Sequence, residues 1–475
     1  MTQWNAESMH RLAKLALDAG EVATPEEALE LFSRYRLHLH LGAGWADTLA
    51  GQACILTALN TAARAFLGGV VVSGDLDQVL SVPLYEGRTV RTVTEALGGA
   101  VMERPTSDLP TLVIGRATGQ LAAAPFCIQL SWDGWCAAIS PAADDTGLPC
   151  AEDNPLSGVA AAALGVNEAF LHVRGDLLEA GHRCVGLSLW HPLAIEDWQA
   201  EAHRGPALRY LPKSLWLVGL GHLGQAYAWT LGMLPYAPGE RPHLVLQDFD
   251  RAAKSNLSTC LLLSEHDLRT RKVRAVAQRL EAVGFAIDMV ERRFGPHHQV
   301  LTNEPTTALF GVDNTAARRD IDSAKFAKVV EAGLGSGYRD FRNIRTHTFP
   351  GAKRASDLWP PQADAQKAVE LNDSYKKLAR EHDDLCGMTQ LASRAVATPF
   401  VGALASAMVL AEVVRPLHGG CIHATLDLQM KDLGYRTGSQ PVRYQGLPTP
   451  HVQTGLQDRQ AAVTADAVLD EEVMS

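Results

Sequence analysis

The sequence predicts an α/β fold of two Rossmann-like, doubly wound domains with mostly parallel sheets, related by an internal pseudo-duplication. Three observations predict it. A strand, a helix and a second strand close on an acidic triplet twice, at Asp75-Leu76-Asp77 and at Asp248-Phe249-Asp250. Each copy later carries a helix of small apolar residues opened by proline, at Pro155 and at Pro399. A Cys-led apolar run that reads as a strand comes after each helix, "CVGLSLW" from Cys184 and "CIHATLDL" from Cys421. Strands alternating with helices in this way imply a parallel sheet covered on both faces.

Each element has its own signature. "MTQWNAESMHRLAKLALDAG" reads as a short amphipathic helix, without the apolar stretch and cleavage site of a secretory leader. "HLHLGAG", His38 to Gly44, is a strand entering a glycine turn, followed by an Ala-rich helix and the strand "GVVVSGDLD". "LWLVGLGHLG", a helix and "HLVLQDFD" repeat the unit. Within the two Pro-led helices a Gly (Gly158, Gly402) and a Glu (Glu168, Glu412) recur at the same offsets. These limits divide the chain into residues 1–205, residues 206–435 and a tail, 436–475, with the connection near Glu201 to Ser214. The tail, rich in Pro, Gly and Gln, is expected to be mobile apart from a short final helix.

The copies are unequal. Asp75 to Pro155 spans 80 residues and Asp248 to Pro399 spans 151, so the second copy carries an inserted segment, in part about 350–398. The first has a thinner glycine turn, Gly42 and Gly44 without a third. One degenerate and one active half are the expectation.

Composition narrows the function classes. Of 475 residues 47% are hydrophobic and 20% charged, with no run of eighteen apolar residues, so no membrane span is expected. The net charge is −10 and the basic residues are dispersed, which argues against nucleic acid as a partner. A cytoplasmic enzyme is the expectation. The eight cysteines contain no pair at two-residue spacing, so neither a zinc ribbon nor a disulfide framework is expected.

Gly219, Gly221 and Gly224 come after an apolar strand and open a helix, where glycines bring backbone N–H groups close to phosphates. Asp248, ending the next strand, suits a ribose. Alone, these suit a nicotinamide or flavin dehydrogenase. The residues beyond Asp248 are more specific: "DFDRAAKSNL", then Lys272 in "RTRKVRAVAQRLEAVG", then "GVDNTAARRDI" resemble, in that order, the ThiF, MoeB and HesA superfamily, which includes the ubiquitin-activating enzymes. The resemblance implies adenylation of the C-terminal carboxylate of a ubiquitin-like protein with ATP and magnesium, and an inactive adenylation domain in the first half. It assigns Asp248 to the ribose, with Asp250 beside it, Asn256 and Lys272 to the ATP phosphates, and Asp313 to magnesium. The chemistry agrees: joining a carboxylate to a phosphate needs cations to neutralise the anions, and Asp313 supplies a hard oxygen ligand.

The family places Arg and Gln where this chain has Thr259 and Cys260. Lys254, Arg251, Arg34 and Arg36 are candidates to replace that Arg. Cys386, in "DDLCGMTQLASRAVATPFVG", stands where related activating enzymes carry a thioester nucleophile. A thiolate is the reactive form; His382 suits a base, whereas Asp383 and Asp384 oppose the charge. His347, in an alternating stretch, has no partner visible in the sequence. The reading is therefore adenylation, thioester formation on Cys386 and transfer to a conjugating enzyme, in a layout resembling bacterial conjugation systems linked to antiviral defence. A sulfur-carrier adenylyltransferase, a binding pseudoenzyme and a dehydrogenase remain alternatives, and a homodimer stays open.

Overall fold

Short apolar runs flanked by glycine and aspartate form the strands, and long Ala- and Leu-rich runs form the helices between them. The computed structural model describes residues 8–103, 108–117, 125–144, 146–361, 373–382, 389 and 392–456. In the first copy β1 (Leu37–Leu41), β2 (Val70–Ser73), β3 (Ala100–Val101), β4 (Thr111–Ile114), β5 (Cys127–Asp133), β6 (Cys136–Pro141) and β7 (Val185–Ser188) form one sheet, ordered β3-β2-β1-β4-β5-β6-β7. After β8 (Tyr210–Pro212) the second copy contributes β9 (Ser214–Val218), β10 (His243–Gln247), β11 (Ala286–Val290), β12 (Thr307–Phe310), β13 (Lys328–Leu334), β14 (Asn343–Phe349), β15 (Thr425–Gln429) and β16 (Arg436–Gly438). Their order, β11-β10-β9-β12-β13-β14-β15-β16, repeats the first sheet with one strand added. Both sheets are parallel up to β5 and β13 and antiparallel beyond, which bears out the doubly wound, duplicated α/β fold. The chain reverses direction across the sheet between β9 and β12, and in such sheets ligands bind at the carboxyl ends of those strands.

The helices that matter here are α1 (Arg11–Ala19), α2 (Pro25–Phe32), α3 (Leu49–Ala65), α4 (Val90–Ala96), α5 (Pro155–Arg174), α6 (His222–Gly232) and α7 (Lys272–Glu281), together with the helix Pro399–Val414. α5 packs on α3 and on Pro399–Val414, which packs in turn on α6, so one hydrophobic core runs through both copies. α5 and the segment Pro399–His418 are long and apolar enough to cross a membrane, but 89% of each window is buried inside the protein, which makes them core helices.

The repeated Gly and Glu have matching tasks. A Cβ on Gly158 would lie 1.9 Å from the Ala50 carbonyl, and one on Gly402 would lie 2.3 Å from His222 Nε2, so each glycine lets its helix cross the start of α3 or α6. The Glu168 carboxylate accepts from Gly181 N–H at 3.0 Å and Arg183 at 2.7 Å; that of Glu412 accepts from His423 N–H at 3.0 Å and from Arg415. Each therefore pins the loop that enters β7 or β15.

Three expectations change. The first copy does have a third glycine: a Cβ on Gly51 would lie 1.9 Å from the Trp45 carbonyl, as one on Gly224 would lie 1.7 Å from that of Gly219, and a longer loop hides the spacing. The connection at Glu201 to Ser214 contains a strand, β8, paired with β17 (His451–Gln453). The residues from 436 to 456 are accordingly not a mobile tail, since β16 extends the sheet and Val452 and Leu456 are buried. Residues 457–475 lie outside the described residues.

Candidate functional site

The glycine turn after β9 divides the work among its three glycines. Gly219 takes a positive φ of 83°, which a side chain disfavours. Gly224 packs on the Gly219 carbonyl, and a Cβ on Gly311, just after β12, would in turn meet Gly224 N at 2.6 Å. Gly221 faces open space and caps α6 without a side-chain hydrogen bond, leaving the helix N-terminus open to an anion.

In the first copy the equivalent position is closed from within. Asp153 accepts from the N–H groups of Leu49 at 2.9 Å and Ala50 at 2.8 Å, and the Thr48 hydroxyl accepts from Gly51 N–H at 3.1 Å. A carboxylate of the chain itself sits where a phosphate would have to bind.

Asp248 ties the turn to the sheet. Its oxygens accept from Leu220 N–H at 2.6 Å and Asp250 N–H at 2.7 Å, and each oxygen retains a further lone pair. Burial raises its pKa, opposed first by the charge of Lys272. Lys272, at the start of α7, pairs with Asp250 at 3.0 Å; burial works against its charge, but Asp248 and Asp250 outweigh it and raise its pKa. The Asn256 carboxamide oxygen accepts from Ala253 N–H at 2.9 Å, so this residue shapes its own turn. Asp313 is exposed beyond the end of β12, and the cap of the following helix is Asn314, which accepts from Ala316 N–H.

Thr259 and Cys260 are buried, continuing that turn through N–H bonds to the Asn256 carbonyl. Burial pushes the Cys260 thiol up to about 11, so it is inert. The four candidates for the missing arginine are placed as follows. Lys254 is exposed, Arg251 donates to the Arg269 carbonyl, Arg34 pairs with Glu30, and Arg36 is exposed ahead of β1, at the strand end opposite the glycine turn. In addition, α1 packs on the Lys254–Ser258 turn and brings Arg11, half-buried, close enough to Asp313, Cys260 and Arg394 for their charges to act on it. Burial and then Arg394 lower its pKa, and among the described residues it makes no ion pair. Arg64 of α3 is half-buried and donates to the Leu263 carbonyl at 3.0 Å; burial, followed by Arg64 and Arg11, lowers the pKa of His10 to about 4. Arg11 of the first copy thus stands near both Asp313 and His222, the first residue of α6. Nothing in the sequence around Arg11, Arg64 or Arg394 marks them, since their meeting depends on how the copies pack.

Magnesium fits this setting through Asp313, because it is commonly held by one or two carboxylates together with phosphates and water. Among the described residues no group of three or more His, Cys, Asp or Glu forms a metal cage. His347 has a partner after all: its Nδ1 lies 2.9 Å from Glu331, which also pairs with Arg318 at 2.6 Å, a buried structural cluster. Cys386, with Asp383 and Asp384, lies outside the described residues, as does the side chain of His382. Of the other cysteines Cys184 is exposed, unlike the buried residue its apolar neighbours suggest.

Residues 36–189 match a family model described as the BilD N-terminal domain, and residues 211–420 one described as the BilD C-terminal domain. A relative described as "Bacterial E1-like protein BilD", from Collimonas sp. (strain OK412), is 40% identical over 418 residues, which is 87% of this chain and 89% of that one. Among solved structures, E. coli MccB superposes with a TM-score of 0.34 at 10% identity over 68% of this chain and 95% of that chain. PaaA superposes with a TM-score of 0.32 at 16% identity over 48% of this chain and 63% of that one, so the chain spans less than two thirds of it.

Proposed function

Because this chain belongs to the BilD family of bacterial E1-like proteins, we propose that its second half activates the C-terminal carboxylate of a ubiquitin-like protein with ATP and magnesium. The acyl group then passes to Cys386 as a thioester and on to a conjugating enzyme. The observation that carries this reading is the contrast between the two helix N-termini: α6 is open with the Arg11 cation nearby, whereas α3 is closed by Asp153. That contrast supports residues 1–205 as an inactive partner domain and residues 206–435 as the adenylation domain.

In the first step the carboxylate oxygen attacks the α-phosphorus and pyrophosphate leaves. Two anions meet, so the main task of the protein is electrostatic. The open N-terminus of α6 receives phosphate oxygens, Asp248 accepts from the ribose through its remaining lone pairs, and Lys272 and Arg11 stabilise charge that builds on the phosphates. Asp313 would hold magnesium, which would supply positive charge to offset the leaving pyrophosphate. Arg11 takes the part of the family arginine replaced by Thr259, and the amide nitrogen of Asn256 remains a donor while its oxygen holds the turn. In the second step the Cys386 thiolate attacks the acyl carbon of the mixed anhydride and AMP leaves.

The test is a non-reducing gel after incubation of the protein with a candidate ubiquitin-like protein, ATP and magnesium. A thiol-sensitive adduct that vanishes in Cys386→Ala is expected; an adduct that survives this substitution removes Cys386 from the mechanism.

A further inference from the structure

A second concentration of charge adjoins the turn after β10 and includes none of the residues assigned above to the adenylation or thioester steps. β11 is an edge strand of the eight-stranded sheet. Where it ends, the turn after β10 and the loop before α7 border an open cleft of about 440 Å3, lined chiefly by Arg251, Arg269, Thr270, Arg271, Arg274 and Glu291. Four arginines and one glutamate therefore line it, in a chain whose net charge is −10.

The internal neutralisation is incomplete. Arg274 Nε pairs with Glu291 at 2.5 Å, and Arg271 reaches the other carboxylate oxygen only at 3.9 Å. Arg251 and Arg271 donate to the backbone carbonyls of Arg269 and Phe249, bonds that hold the guanidinium groups in place without cancelling their charge. Arg269 adopts a positive φ of 68°, a conformation uncommon outside glycine, and its N–H is bonded to the Ala252 carbonyl. The N–H groups of Thr270 and Lys272 are likewise bonded, to the carbonyls of Asp267 and Asp250. The cleft thus offers guanidinium groups rather than the backbone cradle that suits a bare phosphate.

Its surroundings favour a polypeptide. Phe249 is 38% exposed with Arg293 over its ring at 4.7 Å, and Met289 is 48% exposed on the edge strand. Arginine, phenylalanine and methionine at one surface are the composition of protein interfaces, whereas a nucleic-acid footprint is a broader basic stripe. We infer that this cleft docks an acidic segment of a protein partner, whose carboxylates displace Glu291 as the counter-charge of Arg271 and Arg274. The inference is independent of the adenylation reaction.

The probe is a fluorescein-labelled octaglutamate peptide, followed by anisotropy at low ionic strength with the full chain. Saturable binding is expected, weakened about tenfold or more in the double variant Arg271→Glu/Arg274→Glu. Glu291→Gln frees the same arginines and is expected to tighten binding, which keeps the test decisive if the double variant fails to fold. No binding by the native protein, equal binding by a folded double variant, or unchanged binding by Glu291→Gln overturns the inference. Displacement of the peptide by pyrophosphate or by a single-stranded oligonucleotide at lower concentration than by unlabelled octaglutamate overturns the assignment to an acidic protein.

Discussion

Replacing Glu412 by Gln is expected to destabilise the protein more than the same change at Glu168, although the two hold equivalent places in the two copies. Glu412 is fully buried, and its partner Arg415 is 1% exposed. Burial by itself raises the pKa of Glu412, but Arg415 and then His423 outweigh it and hold the carboxyl at about 2. Against its ordinary value of 4.5, that corresponds to roughly 3 kcal/mol in favour of the ionised folded state. Gln keeps the shape but leaves the Arg415 guanidinium buried without a counter-charge, a change that costs about 3–5 kcal/mol at buried pairs. Arg183, the partner of Glu168, is 22% exposed, so water takes up part of its charge and the cost falls to about 1–3 kcal/mol. Urea unfolding at neutral pH, read by tryptophan fluorescence and far-UV circular dichroism, measures both. The pH dependence has a definite sign: because the folded pKa is depressed, the stabilisation is complete above about pH 4.5 and is lost as the pH falls towards 2, so the native protein and Glu412→Gln converge across that window. Equal losses in the two variants, or a gap that stays constant through that window, would refute the reasoning.

Three further outcomes are expected. Gly224→Ala places a Cβ 1.7 Å from the Gly219 carbonyl, so the turn must shift; calorimetry is expected to show loss of ATP binding, with thermal unfolding costing about 1–3 kcal/mol, and retained affinity would contradict the assigned role of the turn. Asp153→Ala removes the acceptor at the start of α3 and is expected to cost about 1–2 kcal/mol in urea while leaving partner-dependent pyrophosphate exchange intact, since it acts in the closed copy. Arg11→Ala is expected to lower the rate of that exchange about a hundredfold without loss of thermal stability, because it removes a half-buried cation that has no ion-pair partner among the described residues.

The duplication was legible because it rests on local features. A helix of small residues, a glycine where helices cross and a glutamate that pins the next loop leave the same trace at Pro155 and at Pro399. The turn at Gly219, Gly221 and Gly224 was legible for the same reason. Features built from distant residues were not. Asp153 closes a helix that begins about a hundred residues earlier, and the pairing of β8 with β17 joins segments nearly 240 residues apart, so the Pro- and Gly-rich composition of the latter suggested mobility. Gly51 escaped notice because its loop is longer than that of its counterpart. Arg11 belongs to an amphipathic helix like any other until α1 is laid against the Lys254–Ser258 turn of the opposite copy.

The central claim, that the second half adenylates a protein carboxylate, is tested most directly by ATP–pyrophosphate exchange with a ubiquitin-like protein present. The expected result is exchange that requires the partner's free C-terminal carboxylate, persists in Cys386→Ala and disappears in Asp313→Ala. Exchange that proceeds without the partner, or at an undiminished rate in Asp313→Ala, would contradict it.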